Sequence, residues 1–274
     1  MKPQKAKHYH LEKEKRNPHY TGKDYLVFEK HDGWYGYIDP GDVVRSRAMR
    51  AVPSLDWMTD IFKPFNLQGR LVFEVLVNGM PEFKDLNGYL NRQHVGGLAY
   101  LRVHDYVVDG PFSYRWERVK QIVAHIDSSY ILPANYIGMA REPEWQGLAK
   151  AQWAMGREGI ILKEADAEYK PGSRTGSLLK IKEELTLDML VTGACEGEGK
   201  YVGMLGSLQV QEADGTTHLV GGMTDEQRYR WWAAPSLIMD KVVEIKAMKR
   251  LSNGALREPR FKAIRYDKHA WEID

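Results

Sequence analysis

The feature that most constrains this chain is a carboxylate inside an apolar run. From Leu71 to Val77, within GRLVFEVLVNG, apolar residues surround a single acid, Glu74. A short apolar run bounded by glycines reads as a buried strand. A charge there is costly unless it is paired or bound to something. The same placement recurs along the chain. Lys30 ends LVFEK, Glu158 and Lys163 bracket GIIL, and Lys180 and Lys182 alternate with apolar residues in LLKIK. Four separate strands delivering amines and carboxylates point to one polyanion site, with lysines for phosphates and glutamates for a divalent metal.

Lys30 is followed at once by His31, Asp32 and Gly33, then by the aromatic run WYGY. A surface turn accounts for this, and so does a lysine held as a nucleophile. A free lysine has a pKa near ~10.4, so neutralising it at pH 7 takes roughly 4–5 kcal/mol. Nearby cations such as Lys180, Lys182 and a metal supply that by repulsion, and they also stabilise phosphoryl charge in the transition state. The set suits attack on phosphorus, giving a lysine phosphoramidate.

The order of elements predicts an α+β architecture. DYLVFEK and GWYGYID read as strands joined by a turn at His31–Gly33, and LAYLRVHDYVVDG as another strand. YRWERVKQIVAHI places Trp116, Val119, Ile122, Val123 and Ile126 on one helical face. EPEWQGLAKAQWAMG is a helix closed by Gly156, and REGIILKE and GSLLKIKEE are strands. Beyond Glu184 the texture changes to short β runs with glycine turns, EADGT being a hairpin signal. One short helix near Glu226–Trp232 and the strand KVVEIKAM complete a small barrel of the OB type. The expected domains are 1–185 and 186–274.

Bulk properties exclude more than they assign. The chain has 274 residues, is 43% hydrophobic and carries a net charge of +2, so it supports real cores. Basic residues concentrate at both ends, which suits phosphate-rich partners or simply a solvated surface. The single cysteine, Cys195, forms no internal disulfide or cysteine zinc site. The basic N-terminus lacks an apolar segment, and no long apolar span follows. The expectation is a soluble monomer in the cytoplasm of a bacterium or a virus-infected cell. His8 and His10 are read as part of an exposed, frayed end, and His94 as an ordinary satisfied histidine. Trp231 and Trp232 are read as barrel packing rather than a base-stacking platform.

Taken in order, these runs resemble the covalent nucleotidyltransferases, most closely the small ATP-dependent DNA ligases. Lys30-His31-Asp32-Gly33 resembles their K-x-D-G motif, with Ser46-Arg47 shortly after it. LVFEV with Glu74, RVHDY with His104, EGIILK from Glu158 to Lys163, and LLKIK with Lys180 and Lys182 resemble the motifs that follow. GEGKYVGMLGSL and Arg265-Tyr266-Asp267-Lys268 resemble the OB domain and its terminal R-x-D-K.

The resemblance implies an adenylation domain of mainly antiparallel sheets, then an OB barrel. It implies ATP and Mg2+, with Mn2+ as a substitute, and nicked duplex DNA as partner. Lys30 would take AMP, with Asp32 in the same motif. Glu74 would contact ribose or metal, Glu158 the metal, and Lys180 and Lys182 the α-phosphate. Arg47 would hold the 5′-phosphate of the nick, and Glu29, Arg47, His104 and Lys163 would line the nucleotide site. Arg265, Asp267 and Lys268 would swing over ATP about a hinge near Glu183–Asp188.

Three positions depart from the family pattern. Tyr35 stands where relatives carry arginine, His104 where an aromatic ring stacks on adenine, and Phe28 where a polar side chain reads the base. Base contacts are then expected from backbone atoms. Beside DNA nick sealing stand an RNA ligase or GTP-dependent capping enzyme, and a non-catalytic duplex-binding module. No large insertion interrupts Gln211–Val220, so grip on DNA would rest on basic surfaces and weaken with salt.

Overall fold

The computed structural model describes residues 1–9, 19–80, 83–91, 98–251 and 253–274. His10 and His94 lie outside these residues. The chain divides into two compact units, Met1–Lys182 and Glu183–Asp274. The expected boundary falls just inside the second unit, at the start of its first long strand, Leu185–Glu196.

The first unit is built on two five-stranded sheets. One has the order Lys7–His8, Leu178–Lys182, Gly159–Glu164, Tyr25–Glu29, Tyr136–Ala140. The other has the order Arg45–Ser46, Trp34–Ile38, Arg70–Val77, Ala99–Val107, Ile131–Pro133. All pairings are antiparallel except at Lys7–His8 and Ile131–Pro133.

The strands flanking Lys30–Gly33 therefore lie in different sheets. The chain crosses between the sheets there and again at Ala134–Asn135. Glu29 ties the crossings together, its N–H donating to Asn135 O (2.9 Å) and its carboxylate accepting from Asn135 Nδ2 (2.7 Å). Gly33 sits in tight packing at this crossing. A Cβ there would lie 3.0 Å from Leu76 Cδ2 and 3.1 Å from Val75 O.

Alternation of side chains along strands sorts the charges. In the first sheet Tyr25, Val27, Ile160, Leu162, Leu179 and Ile181 pack in one core with the helix Trp145–Ala154. Trp145, 1% exposed, meets Tyr9 and Tyr25 edge-on at 5.2 and 4.9 Å, a geometry worth ~1 kcal/mol per pair beyond burial. The alternate positions, Lys30, Ile161, Lys163, Lys180 and Lys182, take the other face. In the second sheet Phe73, Val75, Leu101 and Val103 pack in the core that includes the helices Asp56–Phe62 and Phe112–Ile126. That leaves Glu74, Arg102 and His104 on the opposite side.

The N-terminal segment is not frayed. Lys7 and His8 pair with Leu179 and Lys180, Tyr9 N–H donates to Lys180 O at 3.0 Å, and Tyr9 is 4% exposed. Tyr9 and Tyr20 cover the apolar face of Trp145, which drives the segment onto the sheet edge.

The second unit is a five-stranded barrel of order Thr217–Val220, Leu205–Gln211, Leu185–Glu196, Val242–Ala247, Arg260–Ile264. A bridge between Gly221 and Arg260 closes the ring, with Phe261 N–H donating to Gly221 O at 2.8 Å. The helix Asp225–Ala233 starts at a Thr224 capping box. Its Trp231 is 6% exposed and packs edge-on against Phe261, so the tryptophan is core. Among the described residues no helix is long and apolar enough to cross a membrane.

Candidate active site

The charged faces of the two sheets line a cleft of about 110 Å3. Lys30, Glu29 and His31 reach it from one crossing and Ala134 from the other; Glu74, Arg102 and His104 come from the second sheet, and Ile161 and Lys163 from the first. Of the residues singled out in sequence, the cleft collects Glu29, Lys30, Arg47, Glu74, His104 and Lys163.

Glu158, Lys180 and Lys182 stand beside Lys30 rather than in the cleft wall. Lys30 Nζ donates to Glu158 Oε2 at 2.6 Å, and Lys30 N–H donates to Gly159 O at 2.9 Å. Trp153 Nε1 holds the Glu158 carbonyl at 3.3 Å. Gly159 has φ +146°, and a Cβ there would lie 2.1 Å from Ile181 O, so only glycine lets these strands approach. Burial lowers the Lys180 pKa, and the charges of Lys182 and Lys30 add to that effect.

Glu74 lies in register with Tyr35 on one side and Arg102 on the other. Its Oε2 is buried and makes no hydrogen bond. Burial pushes its carboxyl up to about 7, with Lys30 and Arg47 opposing and Glu158 and Asp32 reinforcing. Asp32 is thus within electrostatic reach of the cleft. Among the described residues no three His, Cys, Asp or Glu side chains form a metal cage. Two carboxylates with one oxygen unpartnered still fit Mg2+, which keeps waters and substrate phosphates among its ligands.

Lys163 is fully committed. Its Nζ donates to His104 O at 2.6 Å, lies 3.2 Å from His104 Nδ1 and 3.5 Å from Asp105 Oδ2. Burial lowers it to about 8. Asp105 in turn accepts from Arg115 Nε at 2.9 Å. The ladder shifts register between Val72 and Phe73, skipping His104, whose ring lines the cleft. Burial, then Lys163, holds His104 neutral. Arg47 lies 4.8 Å over the Tyr35 ring, so tyrosine carries the guanidinium at this wall.

The N–H groups of Glu29 and Lys30 are spent on Asn135 O and Gly159 O, so these backbone donors are not free to read a base. Phe28 lines the cleft with an apolar ring that packs edge-on against Trp116 at 4.8 Å. Arg102, which lines the cleft, and Asn135, which holds Glu29 in place, are residues that sequence reasoning missed. Period-two spacing from His104 signals Arg102, whereas nothing local signals Asn135.

In the second unit Arg265 and Lys268 both grip Asp188, at 2.9 and 2.6 Å, and Arg265 also pairs with Asp267 at 2.7 Å. The Arg265 hydrogen bond holds the Asp267 carboxyl at about 2.

Residues 71–182 match the family described as ATP dependent DNA ligase domain, and residues 196–265 the family described as DNA ligase OB-like domain. A DNA ligase of Thermococcus fumicolans is 32% identical over 194 residues, 61% of this chain and 34% of its own length. One of Haloarcula marismortui is 36% identical over 149 residues, 46% of this chain and 27% of its own. The chain therefore spans about a third of the curated relatives it matches. Among solved structures, a Lig E DNA ligase described as a minimal scaffold superposes with TM-score 0.77 at 20% identity, covering 96% of this chain and 98% of that one. The bacteriophage T7 ATP-dependent DNA ligase complexed with ATP superposes with TM-score 0.55 at 17% identity, covering 96% and 98%. These structural likenesses establish a shared fold. The two domain matches together place the chain in the ATP-dependent DNA ligase family, an adenylation domain followed by an OB-like domain.

Proposed function

We propose that this chain seals 5′-phosphate/3′-hydroxyl nicks in duplex DNA with ATP, through AMP carried on Lys30. The observation that carries this is the meeting of Lys30 from one sheet's crossing with Glu74 from the other sheet in one cleft, Glu158 lying 2.6 Å from Nζ. Lys30 Nζ attacks the α-phosphorus of ATP, the P–N bond forms and the bond to pyrophosphate breaks. Glu158 Oε2 is placed to accept the proton that Nζ sheds. Lys180 and Lys182 offset the charge developing on the phosphoryl oxygens.

Glu74 and Glu158 would hold a divalent cation, which when bound neutralises phosphate charge. Arg47, exposed at the cleft mouth, would hold the nick's 5′-phosphate, to which AMP passes before the 3′-hydroxyl displaces it. Arg265, Asp267 and Lys268 would orient pyrophosphate in the first step. A monomer suffices for this chemistry.

Intact mass after incubation with Mg2+ and ATP, GTP or NAD tests the reading. AMP added from ATP alone, absent in Lys30→Ala, supports it. A GMP adduct would move the chain to a capping role, and sealing of RNA but not DNA nicks to an RNA ligase. No adduct from any nucleotide, even after pyrophosphate treatment to strip bound AMP, would leave a duplex-binding module.

A further inference from the structure

Two nitrogens in the Lys30 cleft are buried without a hydrogen-bond partner, Nε of Arg102 and Nε2 of His31. A buried polar atom left unmatched has lost its water without gaining a partner. Two such atoms lining one cleft mark where a ligand's polar edge belongs.

Their chemistry is complementary. Arg102 is fixed by Nη1 donating to Pro133 O at 3.1 Å, which leaves Nε–H as a free donor. His31 Nδ1 lies 3.5 Å from Glu29 Oε1, and Asn135 holds the other Glu29 oxygen at 2.7 Å. The carboxylate draws the imidazole proton to Nδ1, so Nε2 presents a lone pair. This pair of side chains thus offers one donor and one acceptor.

Their position suits a base. Arg102 and His104 are two residues apart on the same face of the strand Ala99–Val107, a spacing of ~6–7 Å. A ring stacked on His104 brings its edge to Arg102. Phe28 supplies no polar atom, and the N–H groups of Glu29 and Lys30 are already bonded.

We infer that Arg102 and His31 read the purine edge of the nucleotide in place of the polar residue that Phe28 replaces, an inference that rests on the nucleotidyl-transfer reading above. Arg102 Nε–H donates to adenine N1, and His31 Nε2 accepts from the exocyclic N6 amine. Guanine presents the opposite order, an acceptor at O6 and a donor at N1, and is rejected. Purine riboside triphosphate lacks the amine and loses only the His31 bond.

The test is calorimetric binding, without divalent cation, of ATP, GTP and purine riboside triphosphate to protein stripped of AMP. Wild type is expected to bind ATP at least tenfold tighter than either analogue. Arg102→Met should weaken ATP tenfold and narrow the gap to GTP. His31→Leu should abolish the gap between ATP and purine riboside triphosphate. Equal weakening of all three ligands, or ATP binding within twofold of wild type in both variants, would overturn the inference. Arg102→Lys keeps the charge without Nε–H and guards against a misfolded Met variant; full ATP selectivity in it would also overturn the edge reading. Wild type that binds none of the three would instead remove the nucleotidyl-transfer reading, and this inference with it.

Discussion

Lys30 Nζ and Glu158 Oε2 are 2.6 Å apart although 128 residues separate them in the chain. Lys30 follows the strand Tyr25–Glu29, and Glu158 precedes its neighbour Gly159–Glu164. Glu158→Gln keeps a hydrogen-bond acceptor but removes the carboxylate that takes the proton. Single-turnover transfer of AMP to Lys30 should fall roughly 100-fold or more, the range of general-base losses. An unchanged rate would take Glu158 out of the chemistry.

Glu74 links the cleft to pH. Its folded pKa of about 7 lies above the ordinary 4.5, so the folded chain holds an extra proton between these values. Its stabilising contribution is complete below pH 4.5 and is lost as pH rises through 7. Metal-free, nucleotide-free protein should lose up to about 3 kcal/mol of stability from this group between pH 5 and 8. Denaturant melts of Glu74→Gln should lack that component, and parallel pH profiles for both proteins would refute it.

Arg115 and Asp105 form a buried pair, with side chains 3% and 6% exposed. Arg115→Met leaves Asp105 with Lys163 alone, at 3.5 Å. Breaking such a pair costs ~3–5 kcal/mol, and urea denaturation should show a loss of that order. A loss below 1 kcal/mol would mean that Lys163 suffices.

The docked N-terminal segment predicts a remote effect on chemistry. Tyr9→Ala removes a ring in contact with Trp145 and Tyr20, at ~3 kcal/mol for a buried aromatic. Because Tyr9 N–H donates to Lys180 O, AMP transfer should slow as well. Limited proteolysis should cut the variant ahead of Tyr20 first, and wild-type resistance there would count against the coupling.

Nick sealing should fall steeply between low and physiological salt, since phosphate contacts release counterions. The turn Glu212–Thr216 is closed by a 2.9 Å backbone hydrogen bond, which leaves no long arm there to clasp DNA. AMP transfer to Lys30 should change far less over the same range. Sealing that is flat with salt would require another mode of grip.

Much of the site was legible from residue type and spacing. A carboxylate at Glu74 and lysines at alternate positions of LLKIK are intelligible only if their strands face a polar ligand. Alternation also sorted the core, since Leu179 and Ile181 pack while Lys180 and Lys182 face away. The basic composition of the N-terminus suggests a frayed end, and composition does not reveal that Tyr9 has Trp145 to cover.

Local pattern determined which residues are strand, which face each takes and which charges have to meet a ligand, because backbone period and burial cost act within a few residues. Only the tertiary structure decided that the strands around Lys30 belong to different sheets, that Asn135 ties the two crossings, and that Arg102 and His31 end up unmatched in one cleft. Those outcomes depend on contacts between residues far apart in the chain. Such contacts are set by how two sheets pack, and no run of neighbouring residues encodes them.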